Sequence, residues 1–565
     1  MRIRVAGPED REWIFRTRHE VFARELGQHQ VNGQGMLSDA MDERNVYLVA
    51  EVDGEHAGFV SVTPPWAGRY ALEKHLGQGG LDQLAGGEEL FEVRLLTVAE
   101  RFRGSLVAGV LLHAALRWVV AHGGRRVAAM GRAELMEMYR GIGLAGTGRV
   151  IRSGAVEFEL MTGDTAEMAR VSLERYGRIL RTVAKRVVWE LDTPFLPDEE
   201  ACYHGGASIG AIGERVDALD GRHAAVPADV LDAWYAPAPG VEKSLMEDPA
   251  WLARTSPPAD AAGLLAEVCE RRGLPAESVA LGAGSSDLIF RAMRGWLRPD
   301  SRVLLVDPMY GEYAHVVEQV AGCRAERFRL RRDEDWRIDP GRLSRALAEG
   351  RYDLAVIVNP NNPTGQVLDT AVLRAVLDGA PRETRFWIDE AYLEYTGQPS
   401  LEGYAALSPN VVVAKTLSKM YALSGLRAGY LAGPPALVRE IRRWTPPWAV
   451  SLPAQVAAVQ ALRETEYYAA RWAETARLRR DLAAALRELP GAPRVLSGYA
   501  NSVLLTLPEG APTATRVVRA CRGSGVFVRD LTGMSPSFEG RTLRISVRGA
   551  EENARVVAAL RGALA

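Results

Sequence analysis

The arrangement of apolar and polar positions changes twice along this chain of 565 residues. Residues 1–165 combine helical stretches with short apolar runs that are typical of strands. The clearest of these runs are VYLVAEV (46–52), HAGFVSV (56–62) and LFEVRLLTV (90–98). A helix is predicted over 166–187, and the polar, proline-containing stretch 192–200 predicts a linker. We therefore expect an α+β domain at 1–165, followed by a connecting helix and linker at 166–200.

From about residue 201 the chain alternates short, continuously apolar strands with helical stretches. Examples of these strands are RVLLVDP, LAVIVNP, RFWIDEA and NVVVAKT. Strands of this kind, separated by helices, are typical of a mostly parallel sheet. A long helix over 466–488, followed by further strands, indicates a smaller α+β lobe at 465–565. The predicted fold class is a multidomain α/β protein whose large domain covers an N-terminal arm and sheet at 201–464.

Composition and charge narrow the classes of function. The formal net charge is −2 and the pI is near 6.6, so no nucleic-acid or membrane partner is expected. The four cysteines form no CxxC pair, which argues against a metal site of the zinc type. The first residues lack the apolar core of a signal peptide, and no apolar run reaches about 18 residues. We expect a cytoplasmic protein without a resident metal.

Polar clusters follow several of the predicted strands, which is where ligands bind in open α/β sheets. In LGAGSSDLIF (281–290), Gly284, Ser285 and Ser286 stand between a strand and a helix. Free backbone amides and two hydroxyls at that place would bind an anion, although an ordinary Gly-Ser turn explains the same residues. Tyr310 in DPMYGEY would stack on a planar ligand or simply pack in the core.

Two charged residues indicate the chemistry. Asp389 ends the apolar strand of FWIDEAYLEY, where a carboxylate is costly unless a cation or a hydrogen bond compensates it. Lys419 in AKTLSKMYALSGLRAGY is one of only five lysines, against sixty-four arginines. A lysine can become a neutral nucleophile and form a Schiff base, whereas an arginine keeps its proton near neutral pH. Together with an anion cradle, these residues predict the cofactor pyridoxal 5′-phosphate.

The motifs NPNNPTG, IDEAY, TLSKMYALSGLRAGY and LRISV follow one another in the second half of the chain. On these motifs, the stretch from about 204 to 550 resembles the fold-type I pyridoxal-phosphate enzymes of the class I/II aminotransferase family. The resemblance is to the branch of histidinol-phosphate aminotransferase and threonine-phosphate decarboxylase. It implies a homodimer that acts on a small α-amino acid substrate.

The resemblance also implies a role for single residues. Lys419 would form the aldimine with the cofactor and move the proton at the substrate Cα. Asp389 would pair with the ring nitrogen of the cofactor, and Arg544 with the α-carboxylate of the substrate. The other cofactor contacts would be Asn362 and Tyr392 at the phenolic oxygen, Tyr310 on the ring, and Gly284, Ser285, Ser286, Thr416, Ser418 and Arg427 at the phosphate. Lys415 receives no chemical role.

Two departures from the family pattern leave the reaction open. Thr255 and Ser256 in ARTSPPAD stand where the aminotransferase branch has a tyrosine that reaches the neighbouring subunit's phosphate. The stretch YHGGAS (203–208) resembles the HGG of the decarboxylase branch. The predicted function is an aminotransferase-like reaction in specialised (natural-product) metabolism. The alternative is decarboxylation, or elimination and replacement at Cβ or Cγ with C–C bond formation on an activated amino acid such as S-adenosylmethionine.

The first domain contains FRTRHEVFARELGQHQ, EVRLLTVAERFRGSLVAGVLLHAAL and MEMYRGIGLAGTGR. These stretches resemble GNAT-type acyltransferases, in the branch of acyl-homoserine-lactone and N-acyl amino acid synthases. By this resemblance, Arg101, Arg103 and Gly104 before a helix would bind the pyrophosphate of the acyl donor. Leu106 departs from the small residue that is usual at its position, and Ala108 follows it.

Three further residues of the first domain each have two interpretations. Tyr139 would act as a general acid or pack as a core aromatic. Glu92 and Arg94 would face a substrate or pair with each other. The domain is thus either an acyltransferase that uses acyl-CoA or an acyl-carrier protein, which would make the chain bifunctional, or a non-catalytic scaffold.

Overall fold

The computed structural model of the chain describes residues 1–86, 89–191, 193–196, 205–213 and 219–565. The chain divides into two compact units. The first is formed by Met1–Ala201 with Thr532–Gly540, and the second by Cys202–Leu531 with Arg541–Ala565. None of the helices in the described ranges is long and apolar enough to cross a membrane.

The predicted boundaries at 165, 200 and 464 stay predictions. Tyr203 and His204 of the predicted HGG-like motif lie outside the described residues. The same holds for Asp192 and residues 197–200 of the predicted linker.

The first unit is built on one eight-stranded sheet with the order β6-β7-β5-β4-β3-β2-β1-β8. Its strands are β1 (Arg2–Val5), β2 (Val46–Val52), β3 (Glu55–Thr63), β4 (Leu90–Val98), β5 (Arg126–Arg132), β6 (Ala145–Ser153), β7 (Val156–Asp164) and β8 (Val188–Trp189). Its helices are α1 (Arg11–Arg18), α2 (Glu73–Ala85), α3 (Val107–Ala121), α4 (Met136–Gly141) and α5 (Thr165–Ala184). The three strands and the helix predicted for this region are therefore confirmed.

Helix α3 supplies much of the core of the first unit, because apolar residues occupy nearly all of its length and most of them are buried. Leu111 and Val119 pack with Val60 and Phe91 of the sheet. The pairing of β3 with β4 shifts register between Phe59 and Ser61, opposite the stretch of β4 that contains the positive φ of 57° at Leu95. A bulge of this kind changes the direction of the side chains that follow it.

The second unit contains two sheets and fifteen α-helices within the described residues. Its helices are α6 (Ala207–Ile212), α7 (Pro239–Glu247), α8 (Pro249–Arg254), α9 (Ala262–Arg272), α10 (Ser285–Trp296), α11 (Gly311–His315), α12 (Pro340–Gly350), α13 (Thr370–Asp378), α14 (Glu402–Leu407), α15 (Leu417–Met420), α16 (Pro435–Arg442), α17 (Leu452–Arg463), α18 (Thr465–Arg487), α19 (Ala514–Gly523) and α20 (Ala550–Leu564). Its strands are β9 (Val226–Ala228), β10 (Val279–Gly282), β11 (Arg302–Asp307), β12 (Arg324–Arg329), β13 (Leu354–Val358), β14 (Arg385–Asp389), β15 (Val411–Thr416), β16 (Gly429–Ala432), β17 (Arg494–Leu496), β18 (Ser502–Thr506), β19 (Val526–Asp530) and β20 (Thr542–Ser546).

The larger sheet has the order β10-β16-β15-β14-β13-β11-β12. Only β16 runs antiparallel to its neighbours, so the prediction of a mostly parallel sheet is confirmed. Val358 pairs with Asp389, and Asp389 pairs with Ala414, so the carboxyl ends of β13, β14 and β15 meet at one edge. That edge is where the polar motifs predicted from the sequence come together.

The smaller sheet has the order β17-β18-β20-β19-β9. Its edge strand β9 comes from far earlier in the chain and runs parallel to β19, with Val226 opposite Val526. The predicted small lobe therefore exists as a sheet, but one of its strands belongs to the N-terminal arm of the second unit. No local sequence pattern predicts this strand, because β9 is only three residues long.

A buried ion-pair cluster lies under the carboxyl end of β15. Lys415 Nζ is 3.1 Å from Glu390 Oε2 and 3.1 Å from Glu394 Oε1, and the side chains of Lys415 and Glu390 are almost completely buried. Burial alone would lower the pKa of Lys415, but Glu394 and Glu390 raise it above its usual range. Lys415 is thus a structural charge, in agreement with the absence of a predicted chemical role.

Replacing this charge should destabilise the second unit. Lys415→Met leaves the buried Glu390 carboxylate without its cation and leaves Glu394 with Arg272 at 3.7 Å, and breaking a buried ion pair typically costs about 3–5 kcal/mol. We expect a clear fall in the thermal unfolding midpoint of the apoprotein. Lys243→Met, at an exposed lysine of α7, is the matched control and should change the midpoint little. An unchanged midpoint for Lys415→Met would contradict the structural role.

Candidate active site

Lys419 lies in the short helix α15, directly after strand β15. Thr416 caps this helix by accepting a hydrogen bond from the Ser418 amide at 3.2 Å. The Lys419 Nζ donates to Asp232 Oδ1 at 2.9 Å and is a quarter exposed. The amine is therefore partly accessible to solvent near the carboxyl end of β15.

The loop after α15 brings the two predicted halves of the anion cradle together. Gly284 precedes α10 with a φ of 87°, and a Cβ at this position would lie 2.8 Å from Arg427 Nη2. Arg427 Nη1 is 3.4 Å from Ser418 Oγ, and Arg427 itself has a φ of 60°. A left-handed backbone at a non-glycine residue costs free energy and is concentrated at functional sites. The amides at the start of α10 and the Arg427 guanidinium thus converge on one anion-sized place.

Ser286 and Tyr310 share one carboxylate near this cradle. Ser286 Oγ donates to Glu312 Oε2 at 2.9 Å, and the Tyr310 hydroxyl donates to the same oxygen at 2.6 Å. Glu312 is fully buried. Ser285 begins α10 and is half-buried. The structure thus fixes the rotamers of two predicted cofactor-binding residues through an acid that the sequence analysis did not single out.

Asp389 is fully buried at the end of β14. Its Oδ2 accepts from the Tyr313 hydroxyl at 2.6 Å and its Oδ1 accepts from the Ala391 amide at 2.9 Å. Burial raises the pKa of Asp389 to about 6, with Glu312 adding to the rise, against the lowering effect of these two hydrogen bonds. No ion pair to this carboxylate occurs among the residues that the structure describes. A cation placed beside it would therefore be strongly stabilised.

Arg544 reaches the same region from strand β20 of the smaller sheet. Its Nη1 donates to Asn362 Oδ1 at 2.9 Å and its Nη2 donates to the Asp229 carbonyl at 2.8 Å. Its Nε is buried and has no hydrogen-bond partner in the described part of the chain. Burial lowers the pKa of Arg544 to about 10, but the guanidinium still keeps its charge near neutral pH. A buried arginine with a spare donor is a ready partner for a carboxylate.

Tyr392 is fully buried beside these groups, and burial raises the pKa of its hydroxyl well above the usual range. The charges of Arg544, Asp389 and Asp232 all act on this hydroxyl, which places it among them. Thr255 follows the end of α8 and is half-buried, and Ser256 is exposed. The structure gives neither of these two residues a side-chain hydrogen bond within the described chain.

Asp232, Glu312 and Tyr313 are the residues of this site that sequence reasoning missed. Asp232 follows strand β9 and contacts Lys419, and Tyr313 holds Asp389. Glu312 and Tyr313 stand next to each other in DPMYGEY, so an acid and a second tyrosine beside Tyr310 were available as a signal. Asp232 had no such signal, because its partner lies 187 positions further along the chain.

In the first unit, Glu92 and Arg94 do not pair with each other. Glu92 is buried and accepts from the Ala71 amide at 2.7 Å, and burial raises its pKa. Arg94 Nη2 donates to Asp39 Oδ2 at 2.6 Å, and Arg94 Nη1 is buried without a partner. Arg18 binds the same Asp39 at 3.0 Å, so three charged side chains meet behind β4. The sequence analysis did not single out Arg18 or Asp39.

The loop predicted to bind the acyl donor lies between β4 and α3. Arg101 forms an ion pair with Glu55, and Arg103 pairs with Glu25 at 2.8 Å. Gly104 has a φ of 77° and no atom lies within 4 Å of the place that its Cβ would take.

Leu106 of the same loop is half exposed, and Ala108 lies in the first turn of α3. Tyr139 is buried in α4 against Gly131, where a Cβ would come within 2.8 Å of its ring, and burial raises its pKa. Both the loop and the tyrosine are therefore engaged in contacts within the first unit.

The raised pKa of Asp389 makes a testable prediction about the apoprotein. Because the folded-state pKa of about 6 exceeds the ordinary value of 3.8, folding is favoured by the protonated form. The cost of the charged form appears as the pH rises from about 4 to about 6, and amounts to about 3 kcal/mol above that window. Asp389→Asn should therefore raise the unfolding midpoint of the apoprotein at about pH 8 and change it little at about pH 4.

The measurement is calorimetric unfolding of the cofactor-free protein at both pH values. Asp333→Asn, at an exposed aspartate, is the control and should change neither midpoint. A destabilised Asp389→Asn variant at about pH 8 would contradict this account of the carboxylate.

Comparisons with known proteins agree with this geometry. Residues 251–560 match the family described as "Aminotransferase class I and II", and residues 11–144 match the "Acetyltransferase (GNAT) family". The chain is 33% identical to a histidinol-phosphate aminotransferase of Acidovorax sp. (strain JS42) over 306 residues, which cover 53% of this chain and 81% of that protein. It is 32% identical to an aromatic amino acid aminotransferase of Thermobifida fusca (strain YX) over 344 residues, 60% of this chain and 90% of that protein.

Two solved structures share the fold. One is histidinol-phosphate aminotransferase from Sinorhizobium meliloti in complex with pyridoxal-5′-phosphate, with a TM-score of 0.54, 22% identity, and coverage of 60% of this chain and 89% of that one. The other is L-threonine-O-3-phosphate decarboxylase from Porphyromonas gingivalis, with a TM-score of 0.50, 21% identity, and coverage of 59% and 98%. At such identities the likeness concerns the fold alone. These findings confirm the predicted resemblances and fold class: the chain belongs to the aminotransferase class I and II family of pyridoxal-phosphate-dependent transferases, and it carries a GNAT domain at residues 11–144.

Proposed function

We propose that the second unit transfers the amino group of an α-amino acid to a 2-oxo acid, with pyridoxal phosphate held at Lys419 and Asp389. The observation that carries this proposal is the buried Asp389 carboxylate, whose pKa of about 6 and lack of a cationic partner among the described residues favour a protonated ring nitrogen beside it. The fusion with a GNAT domain favours a place in specialised (natural-product) metabolism. A cytoplasmic location stays a prediction.

The residues present fit the cofactor. The start of α10 and Arg427 would hold the phosphate, since Gly284 leaves room that a side chain would fill. Asp389 would hold the ring nitrogen, and Tyr310 would lie against the ring. Asn362 and Tyr392 would bind the phenolic oxygen, and Ser285, Ser286, Thr416 and Ser418 would complete the phosphate site. Ser286 and Thr416 already make hydrogen bonds to Glu312 and the Ser418 amide, so they enter the site with fixed rotamers.

When bound, pyridoxal phosphate supplies a ring that takes up the electron pair released by bond breaking at the substrate Cα. The protein's own residues orient the substrate and move its proton. Arg544 would bind the substrate α-carboxylate through a guanidinium that Asn362 and the Asp229 carbonyl already orient. The Lys419 amine, which is partly accessible in the cleft, would remove the proton from Cα and return it elsewhere. Asp389 would keep a negative charge beside the ring nitrogen throughout.

The alternative function on the same site is decarboxylation, or elimination and replacement at Cβ or Cγ on an activated amino acid. The observation that favours it is the pair Thr255 and Ser256, which leaves the predicted tyrosine position without a phenol. A homodimer remains part of the proposal, supported by large apolar side chains that the second unit exposes. These are Met246, Trp251, Trp444 and Trp448.

A second candidate activity is acyl transfer by the first unit, with acyl-CoA or an acyl-carrier protein as donor. It is favoured by the unobstructed backbone at Gly104 and by the unpartnered Nη1 of Arg94 in the buried cluster behind β4. The ion pairs of Arg101 and Arg103 with glutamates weaken it, because binding a pyrophosphate there requires those pairs to open. A non-catalytic scaffold is the competing interpretation.

The proposed reaction predicts distinct products. The cofactor-loaded enzyme is incubated with each proteinogenic amino acid, with and without 2-oxoglutarate, and the products are identified by mass spectrometry. We expect the 2-oxo acid of the preferred substrate together with glutamate. Lys419→Ala should lower this rate by at least about 100-fold because it removes the acid–base group, and it should also remove the visible absorbance of the bound cofactor.

Lys243→Ala, at an exposed lysine, is the matched control and should behave like the native protein. An amine formed with loss of carbon dioxide would contradict transamination and support decarboxylation. A product that has lost a side-chain group would support elimination or replacement instead. A native protein that shows no cofactor absorbance would contradict both transamination and the alternative reactions.

Acyl transfer predicts binding of an acyl donor to the full chain, measured by titration calorimetry with acetyl-CoA and longer acyl-CoA. Gly104→Asp should abolish this binding, because a side chain strains the left-handed backbone and its charge repels pyrophosphate. Gly54→Asp is the control, since Gly54 also has a positive φ and nothing near its Cβ position. If the native chain releases no heat with any acyl-CoA and none with an acylated carrier protein, the scaffold interpretation is favoured instead.

A further inference from the structure

We propose that Asp232 determines substrate specificity, and that it selects α-amino acids whose side chain carries a positive charge. This inference rests on the proposed function of the second unit, and it names the substrate class of that same site. The charge recognised is an ammonium, guanidinium or sulfonium group.

The position of Asp232 is fixed from three sides. Its Oδ1 lies 2.9 Å from Lys419 Nζ and accepts a hydrogen bond from Ser424 Oγ at 2.7 Å. Its carbonyl oxygen accepts from Arg548 Nη1 at 3.2 Å. The preceding carbonyl, that of Leu231, accepts from Asn501 Nδ2 at 2.9 Å. The backbone on which the carboxylate stands is thus anchored, which a specificity contact requires.

The carboxylate is nevertheless accessible. Its side chain is 46% exposed, whereas Asp389 is fully buried. Asp232 and Asp389 therefore differ in accessibility, because a ligand can reach the Asp232 carboxylate from the solvent and Asp389 is buried.

The carboxylate is also charged near neutral pH. Burial raises the pKa of Asp232, but the neighbouring Lys419 and the Ser424 hydrogen bond outweigh this effect and lower it below its ordinary value. The site thus presents a negative charge next to the Lys419 amine, and Arg548 also stabilises this charge.

The ion pair between Lys419 and Asp232 would weaken if that amine held the cofactor, because its nitrogen would no longer be a free ammonium. Asp232 would then keep the Ser424 hydrogen bond and lose its ammonium partner at 2.9 Å. A half-exposed carboxylate without its ammonium partner stabilises an incoming cation and repels an incoming anion, although Arg548 keeps part of the positive potential there. The place left by the lysine ammonium is one that a cationic side chain of the substrate can fill.

Arg544 and Asp232 form a complementary pair of charges for such a substrate. Arg544 bonds to the Asp229 carbonyl, three residues before Asp232 on the same arm. The charge of Asp232 also acts on the Tyr392 hydroxyl, so the carboxylate lies among the residues of the site. A guanidinium for the α-carboxylate and a carboxylate for the side chain match an amino acid that carries one extra positive charge.

The test is equilibrium binding of amino acids to the cofactor-loaded protein, followed through the absorbance of the bound cofactor. The ligands are L-ornithine, its neutral isostere L-norleucine, and L-glutamate. We expect the native protein to bind ornithine at least about tenfold more tightly than norleucine, and glutamate more weakly than either. Asp232→Asn should bring the ratio of ornithine affinity to norleucine affinity down to about one, whatever the effect on binding as such.

Two further variants keep the result interpretable. Asp232→Glu retains the charge and should retain part of the preference, which separates charge from damage to the fold. Asp333→Asn, at an exposed aspartate, is the control and should keep the full preference. A native protein that binds cofactor and amino acids but does not prefer ornithine, or an Asp232→Asn variant that keeps the preference, overturns this inference alone. A protein that binds no cofactor overturns the proposed function and this inference with it.

Discussion

The buried carboxylate of Asp389 is the constraint on which the second unit depends. A charge at the end of an apolar strand is tolerated only because the Tyr313 hydroxyl and the Ala391 amide bond to it. Tyr313 is itself held by Trp387 Nε1 at 2.7 Å, so a row of buried polar groups supports the acid. The apoprotein carries the free-energy cost of this arrangement, and a cation supplied from outside the chain would remove it.

The other polar groups are arranged around that edge of the sheet by strand ends. Strands β13, β14 and β15 are parallel and in register, so their following loops meet. Strand β16 and the loop before it bring Arg427 to Gly284 across a gap that only glycine allows. Arg544 arrives from the smaller sheet and is held by Asn362, which belongs to a loop of the larger one. Polar groups from two sheets thus meet at the carboxyl edge of the larger sheet.

The first unit has its own buried charges, which are arranged differently. Asp39 is shared by Arg18 and Arg94, and Glu92 is satisfied by the backbone of Ala71. Most of these groups are paired within the unit, in contrast to Asp389. The arginines of the predicted donor-binding loop are likewise paired with glutamates. The physical difference between the units is that the second leaves the Asp389 carboxylate without a counterion among the described residues, whereas the first pairs most of the charges described above.

The sequence by itself determined the cofactor class, the mostly parallel sheet and the positions of the main strands and helices. It could do so because these depend on local patterns: apolar runs bounded by turns, and motifs in which a lysine, an aspartate and an asparagine-rich loop keep their order. Roles such as that of Lys419 could be predicted for the same reason. The sequence also indicated that Lys415 needed no chemical role, and its two buried glutamates now explain why a charge stands there.

Only the tertiary structure decided which residues stand next to the Lys419 amine. Asp232 and Lys419 lie 187 positions apart, and nothing in the sequence near either one predicts that they form a pair. The pairing of strand β9 with β19 could not be predicted either, since the three residues of β9 carry too little pattern to be recognised alone. The role of Glu312 is visible only in the fold, where the hydroxyls of Ser286 and Tyr310 both donate to its carboxylate. Contacts between distant segments depend on packing, and packing is a property of the whole fold that no local stretch of sequence contains.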